Sequence, residues 1–351
     1  MVKSKNMLNY ILKRLIIMLV MVFFVLVATF FLTRLMQVNP VLNKLSSDPR
    51  VPNEVYLQEL ERTGFNLPLI QQFVIFLSNF VFGNWGTSYL VADGVPVTTL
   101  ITLIFPKTIE LVLIPIIIIP ILSIKLGISS AKHRNKWQDN VIRGVIMLGV
   151  CIPIFFLATL IQFFASHILN VYTYGVINFE TSSANSITIT YGNRITGFRL
   201  IDAFLLNDQA LLHDSLIHLI LPSIASVIVS LAGISRQTRA SMLDVMRKDY
   251  VRTARAKGVA EKDVINSHAL RNALIPSSNE IVGLVASLLV GSLFLEMIFN
   301  YKGMGWFLFS AIQVGDYVVI TGIVIIDSII ILSGTLVADI LYTVIDPRIV
   351  Y

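Results

Sequence analysis

Residues 236–275 read RQTRASMLDVMRKDYVRTARAKGVAEKDVINSHALRNALI and lie between two apolar stretches. Helix formers dominate on both sides of Gly258, a residue suited to a left-handed cap at the end of the first helix. Tyr250, Ala254 and Lys257 recur at helical spacing on one face of that helix. Ala260-Glu261-Lys262-Asp263 then puts acidic residues in the first turn of the next helix, where the helix dipole favours them. The stretch predicts a short basic helix–turn–helix between two membrane segments. Charge alone leaves open a loop that only fixes topology or touches anionic lipid.

Working outward, the flanking sequence is apolar on a scale that water does not tolerate. Of 351 residues 55% are hydrophobic and 14% charged, against roughly 25% charged in a soluble domain. Mean hydropathy is +0.78. Six runs are long enough to cross a hydrocarbon core of about 30 Å: 11–36, 99–128, 141–169, 215–235, 279–299 and 316–341. The expected fold class is therefore an all-α polytopic membrane protein. The first run follows Lys3, Lys5, Lys13 and Arg14 but is too long for a signal core and lacks a small-residue cleavage site, so it reads as a retained span. The second run contains Pro106, Pro115 and Pro120, which should bend it or free carbonyls locally, and the third is interrupted only by Pro153. The fourth begins near His218, so Pro222 should sit in its first turns.

The charge of +6 suggests nucleic acid at first sight, but its distribution is that of a membrane protein. With the N-terminus inside, 18 of the 27 basic residues fall in inner segments, seven in outer ones, and Lys107 and Lys125 within the second span. Both termini are accordingly read as cytoplasmic. The single cysteine, Cys151, permits no intrachain disulfide.

Residues 1–36 form a cytoplasmic N-terminus and first span, 37–97 an extracytoplasmic loop or cap, and 98–351 the transmembrane core containing the 236–275 turn. The 37–97 segment holds a candidate helix over 52–63 and an amphipathic stretch around 69–82, in which Phe73, Phe76, Leu77 and Phe80 share one helical face. A second long outer segment, 170–213, has apolar–polar alternation near 186–191 that suggests a short strand. Ordered outer segments are a surface for an external partner; variable loops with no partner are the plainer alternative.

The 236–275 stretch resembles the EAA loop of ABC-transporter permeases, whose pattern is Glu-Ala-Ala, three residues, Gly, nine residues and Ile-x-Leu-Pro. Arg252-Thr253-Ala254 takes the triplet, Gly258 the glycine, and His268-Ala269-Leu270-Arg271 the last element. Arg252, Thr253, His268 and Leu270-Arg271 depart from the pattern, and the departures themselves resemble the first permease of the dipeptide/oligopeptide/nickel branch. Three further motifs support the likeness: Gly83-x-x-Gly86-x-Ser88, Glu296-x-x-Phe299-x-x-Lys302-Gly303-x-Gly305, with Lys302 in place of the usual proline, and Asp339-x-x-Tyr342-x-x-x-Asp346-Pro347-Arg348.

The resemblance implies a type I importer permease fold for peptides or solutes of similar size, oligosaccharides included. It also implies a second, homologous permease, two cytoplasmic ATPase subunits and an external binding protein as partners. Arg252, Thr253, Ala254, Gly258, His268 and Arg271 would then form the ATPase-coupling loop. No cofactor, metal or nucleic acid is implied.

Charged residues inside spans are functional suspects, since they cost on the order of 3 kcal/mol there. Lys107 and Glu110, at i, i+3 on the second span, read as a mutually neutralising pair or as pore-facing groups, and Asp327 in the sixth span has no evident sequence partner. His167 and Asp339, near span ends, read as interfacial. An ion-coupled secondary transporter using Lys107, Glu110 and Asp327 as a relay is the alternative class. No inverted repeat accompanies it. Gly-x-Ser-x-Gly, His-Glu-x-x-His and P-loop patterns are absent from the sequence, so ATP hydrolysis is expected on partner chains and the chain is not read as an enzyme.

Overall fold

In the computed structural model, residues 2–35, 54, 57–58, 61, 64, 66–172, 183–184, 191–192 and 195–345 are described. The expected helix over 52–63, the strand near 186–191 and Asp346-Pro347-Arg348 lie largely or wholly outside them. The described residues are all-helical, with one isolated antiparallel bridge, Thr87 to Pro96. Five helices are long and apolar enough to cross a membrane: Tyr10–Leu35, Val97–Lys132, Gln209–Val245, Glu261–Ile298 and Tyr317–Val337. A bent pair, Trp137–Cys151 with Ile154–Ile168, makes a sixth if counted as one span.

That pair corrects the expectation of a merely interrupted third span, because its halves meet at 102°. The cause is local. Pro153 has no N–H to donate and disfavours helical backbone in the residue before it, and Ile152 is extended at φ −90°, ψ 121°. The two halves cannot both run along the bilayer normal. The fourth span differs as well. Its helix starts at Gln209, capped by the Asp208 carboxylate accepting from Leu211 N–H at 3.0 Å, so Pro222 lies deep inside it rather than in its first turns. The second span keeps one helix from Val97 to Lys132 despite its three prolines.

Chain contacts divide the protein into two compact units. The first comprises residues 1–108, 195–198 and 302–333. It contains α1 (Val2–Leu35), α2 (Leu69–Val81), the start of α3 (Val97–Lys132), α10 (Met304–Val314) and the start of α11 (Tyr317–Ile345). Val97, Leu100, Ile101 and Ile104 of α3 form its core with Met304 and Ala311 of α10 and Val319, Ile320 and Ile323 of α11. As the helical spacing predicts, α2 turns Phe73, Phe76, Leu77 and Phe80 inward. Phe30 of α1 lies 5.3 Å from the Phe73 ring and 5.2 Å from the Phe76 ring, and Phe80 stacks on Trp85 at 4.7 Å.

The second unit comprises residues 109–194, 199–301 and 334–351. It holds the rest of α3, α4 (Trp137–Cys151), α5 (Ile154–Phe163), α6 (Arg199–Leu205), α7 (Gln209–Val245), α8 (Asp249–Ala256) and α9 (Leu270–Ile298). Val112, Ile119, Ile234, Leu284 and Leu288 pack α3, α7 and α9 together in its interior.

Candidate functional site: the helical turn between two spans

The 236–275 stretch does not begin as a separate module. Its first ten residues are the last turns of α7, which runs unbroken to Val245. Residues 246–248 turn the chain, with Arg247 N–H donating to Asp244 C=O at 3.3 Å and Lys248 N–H to Val245 C=O at 3.0 Å. Then α8 runs from Asp249, an acidic residue in its first turn, to Ala256. Gly258 follows at φ +77°, its N–H donating to Arg255 C=O at 2.9 Å, which is the left-handed exit expected of it. A helical turn at Glu261–Asp263 and a π-helical turn at Val264–Ala269 lead into α9.

This turn has its own core. Val251 and Ala254 of α8 pack with Ala131 of α3, Met242 of α7, and Val264, Ile265, Ala269 and Ala273 on the far side of Gly258. Ala254 is therefore buried within its own chain, and its small side chain serves that packing rather than an outside cleft. Arg252, Thr253, Gly258, His268 and Arg271, by contrast, are exposed. So are Tyr250 and Lys257 of the expected face, and Tyr250 accepts a 2.9 Å hydrogen bond from Asn272.

Two further contacts fix the shape. The Arg255 guanidinium grips the Glu261 carboxylate through two bonds, 3.0 and 2.8 Å, and the Arg255 pKa is raised by it. The Thr253 hydroxyl donates to Asp249 C=O at 2.9 Å. The Arg255–Glu261 pair is surface-exposed and contributes about 0.5 kcal/mol. Most of the rigidity comes from the apolar core.

Beside this turn, Asp139 in the first turn of α4 is fully buried. It accepts two bonds from Arg239 of α7, at 2.9 and 2.8 Å, one from the Ser130 hydroxyl of α3, and one from Asn135 N–H at 3.0 Å. One carboxylate thus joins the ends of three helices next to the turn.

The intramembrane suspects separate. Glu110 pairs with Arg199 rather than with Lys107: its Oε2 accepts from Arg199 Nη2 at 3.0 Å and Nε at 3.1 Å, and its Oε1 from Leu200 N–H at 2.9 Å. Arg199 also donates to the Ala184 carbonyl and the Tyr301 hydroxyl. Burial pushes the Arg199 pKa down and the Glu110 charge opposes this. Asp327 is half-buried in α11. His167 is exposed on a π-helical turn, beside the Ser166 hydroxyl.

Within the first unit, the Gly83-x-x-Gly86-x-Ser88 motif acquires a reason. Gly83 and Gly86 both have positive φ, +80° and +84°; Gly83 sits in the tight turn expected of it, and Gly86 leads into the Thr87–Pro96 bridge instead. Ser88 is buried, and its hydroxyl donates at 2.6 Å to Asp316, which also accepts from Tyr89, Leu90 and Val91 N–H at 2.9–3.2 Å. Sequence reasoning singled out neither Asp316 nor Asp139. Each meets partners distant in sequence, and no local pattern marks such a pair.

Residues 123–351, most of the chain and all of this turn, match the model of the binding-protein-dependent transport system inner membrane component family. The chain belongs to that family. It is a multi-pass inner-membrane permease subunit of an ABC transport system, working with a binding protein and ATPase subunits. The permease is 35% identical over 345 residues to the di/tripeptide transport system permease protein DppB of Pseudomonas aeruginosa, covering 98% of this chain and 99% of the relative. It is 35% identical over 308 residues to the oligopeptide transport system permease protein AppB of Bacillus subtilis, covering 88% and 89%. It is 31% identical over 343 residues to the dipeptide transport system permease protein DppB of Escherichia coli, covering 98% and 99%.

Proposed function

We propose that this permease imports peptides, as the first subunit of a heterodimer with a second, homologous permease. Oligosaccharides are the other solute class its branch allows. The observation that carries the mechanism is the turn at 246–271: a rigid segment cored on α3 and α7, whose exposed side chains include Arg252, Thr253, His268 and Arg271. In this reading the turn is the EAA-type coupling loop, seated in a cleft of one ATPase subunit, and both chain termini lie on the same cytoplasmic side. Closure of the ATPases on ATP pushes α8. Because Val251 and Ala254 pack on α7 and on the chain leading into α9, that push moves both spans together.

Residues 37–97 form the outer cap in this proposal, with α2 held on α1 by the Phe30–Phe73–Phe76 cluster, and the cap receives the binding protein. The test is reconstitution of both permeases and both ATPases in liposomes. Cysteines at Thr253 and His268 should cross-link to an ATPase subunit, and uptake of a di- or tripeptide should require ATP and binding protein. Uptake that survives ATP removal but stops with loss of an ion gradient would overturn the reading.

A further inference from the structure

A pocket of about 380 Å³ opens beside α4 and the last turns of α7. Arg143, Ile146 and Met147 line it from α4, Ser235, Arg236 and Arg239 from α7. Three guanidinium groups share one space, and their charges are not equally matched. Arg239 is neutralised by Asp139. Arg236 donates to the Ala232 backbone carbonyl at 3.3 Å, and Arg143 is exposed; neither has a carboxylate partner among the described residues. Ser235 is 1% exposed, and its buried hydroxyl has no hydrogen-bond partner among the described residues. A buried hydroxyl left so is unfavourable, and a ligand accepting from it would recover that cost. Two uncompensated guanidinium groups and an unused hydroxyl around one cavity suit an oxyanion.

The surroundings say where that oxyanion comes from. The outer face of α4 continues from Met147 through Val141, Val145 and Leu148, each more than half exposed, on a helix that belongs to a membrane segment. Trp137 begins that helix at 71% exposure, directly after Lys136. An exposed Trp beside basic residues at a helix end is the signature of the headgroup level of a bilayer. A free anion needs no apolar wall; a lipid does.

We propose that this pocket binds the phosphate of an anionic phospholipid headgroup, with the acyl chains lying along Val145, Met147 and Leu148. Basic pockets between spans at the membrane surface are suited to such headgroups. Bound there, the lipid braces α4 against α7 next to the Arg239–Asp139 pair.

The test uses the assembled transporter in nanodiscs of phosphatidylcholine with and without phosphatidylglycerol, with retained lipid read by native mass spectrometry. Wild type should retain phosphatidylglycerol, and Arg143→Gln and Arg236→Gln should each lower retention about fivefold. Arg134→Gln removes a nearby charge outside the pocket and should retain as much as wild type. Equal retention by the pocket variants, or equal loss in Arg134→Gln, overturns the site. Displacement of phosphatidylglycerol by equimolar inorganic phosphate assigns the pocket to a free anion and also overturns it. Should a variant not assemble, a photoreactive phosphatidylglycerol on wild type decides: labelling at 143–147 supports the proposal, and labelling confined to other segments refutes it.

Discussion

Arg199 shows what a single residue hides from sequence. In the chain it is one more basic residue of an outer segment; in the fold it is buried at the start of α6, on Glu110 of a span 89 positions away. Nothing local marks the pair, because the apolar run around Glu110 and the loop before Arg199 carry unrelated patterns. Lys107 looked the natural partner because i, i+3 spacing is visible and tertiary contact is not. The pair makes a specific prediction. Arg199→Met leaves the Glu110 charge buried without its cation and should cost about 3–5 kcal/mol. The double substitution Arg199→Met, Glu110→Leu should recover most of that loss. Thermal melting of the purified permease complex checks both, and additive losses in the double variant would mean the two side chains do not depend on each other.

At the scale of elements, the helical turn between α7 and α9 was the most legible part of the chain, and for a physical reason. Its signals are local: a glycine cap, an acidic first turn, apolar residues at helical spacing. The first two recur in the structure at Gly258 and Glu261, whereas the expected face of Tyr250, Ala254 and Lys257 divides, with Ala254 buried and the other two exposed. What the sequence could not assign was the side of α8 that faces home, since Ala254 fits an outside cleft and a private core equally well. Burial of Ala254 sharpens the expected phenotypes. Ala254→Asp puts a charge into the core of the turn and should abolish peptide uptake by unseating α8, whereas Gly258→Ala should cost about 1–2 kcal/mol for a side chain at positive φ and reduce uptake only partly. Co-purification of the ATPases alongside uptake distinguishes them: normal uptake by Ala254→Asp would separate the turn from coupling. The other legible element, α2, gives a parallel case in the proposed outer cap. Phe76→Asp should loosen α2 from α1 by roughly 3 kcal/mol and weaken binding-protein affinity while ATPase association stays intact. Equal affinity would make α2 a structural filler only.

For the whole molecule, hydropathy counts spans well and traces them poorly. Length and apolarity alone locate the first, second and sixth runs, but a 102° break at Pro153 and a helix that starts at Gln209 depend on backbone choices that composition averages away. Orientation rests on a different quantity, the uneven sharing of Lys and Arg, 18 against seven, between the two sides. It predicts that the 246–269 turn and both termini face the cytoplasm while 170–213 faces out. Single cysteines test this in a background where Cys151, itself exposed on α4, is replaced by serine. Ser88 is a poor probe, being buried on Asp316. Ser183 and Ser267 are both exposed and belong to opposite sides by the charge count. A membrane-impermeant maleimide on intact cells should label Ser183→Cys and leave Ser267→Cys unmodified until the membrane is opened. Labelling at Ser267→Cys in sealed cells would invert the topology and move the basic turn away from the cytoplasmic side, and with it the proposed lipid pocket and ATPase contact, since the last turns of α7 line that pocket and lead directly into the turn.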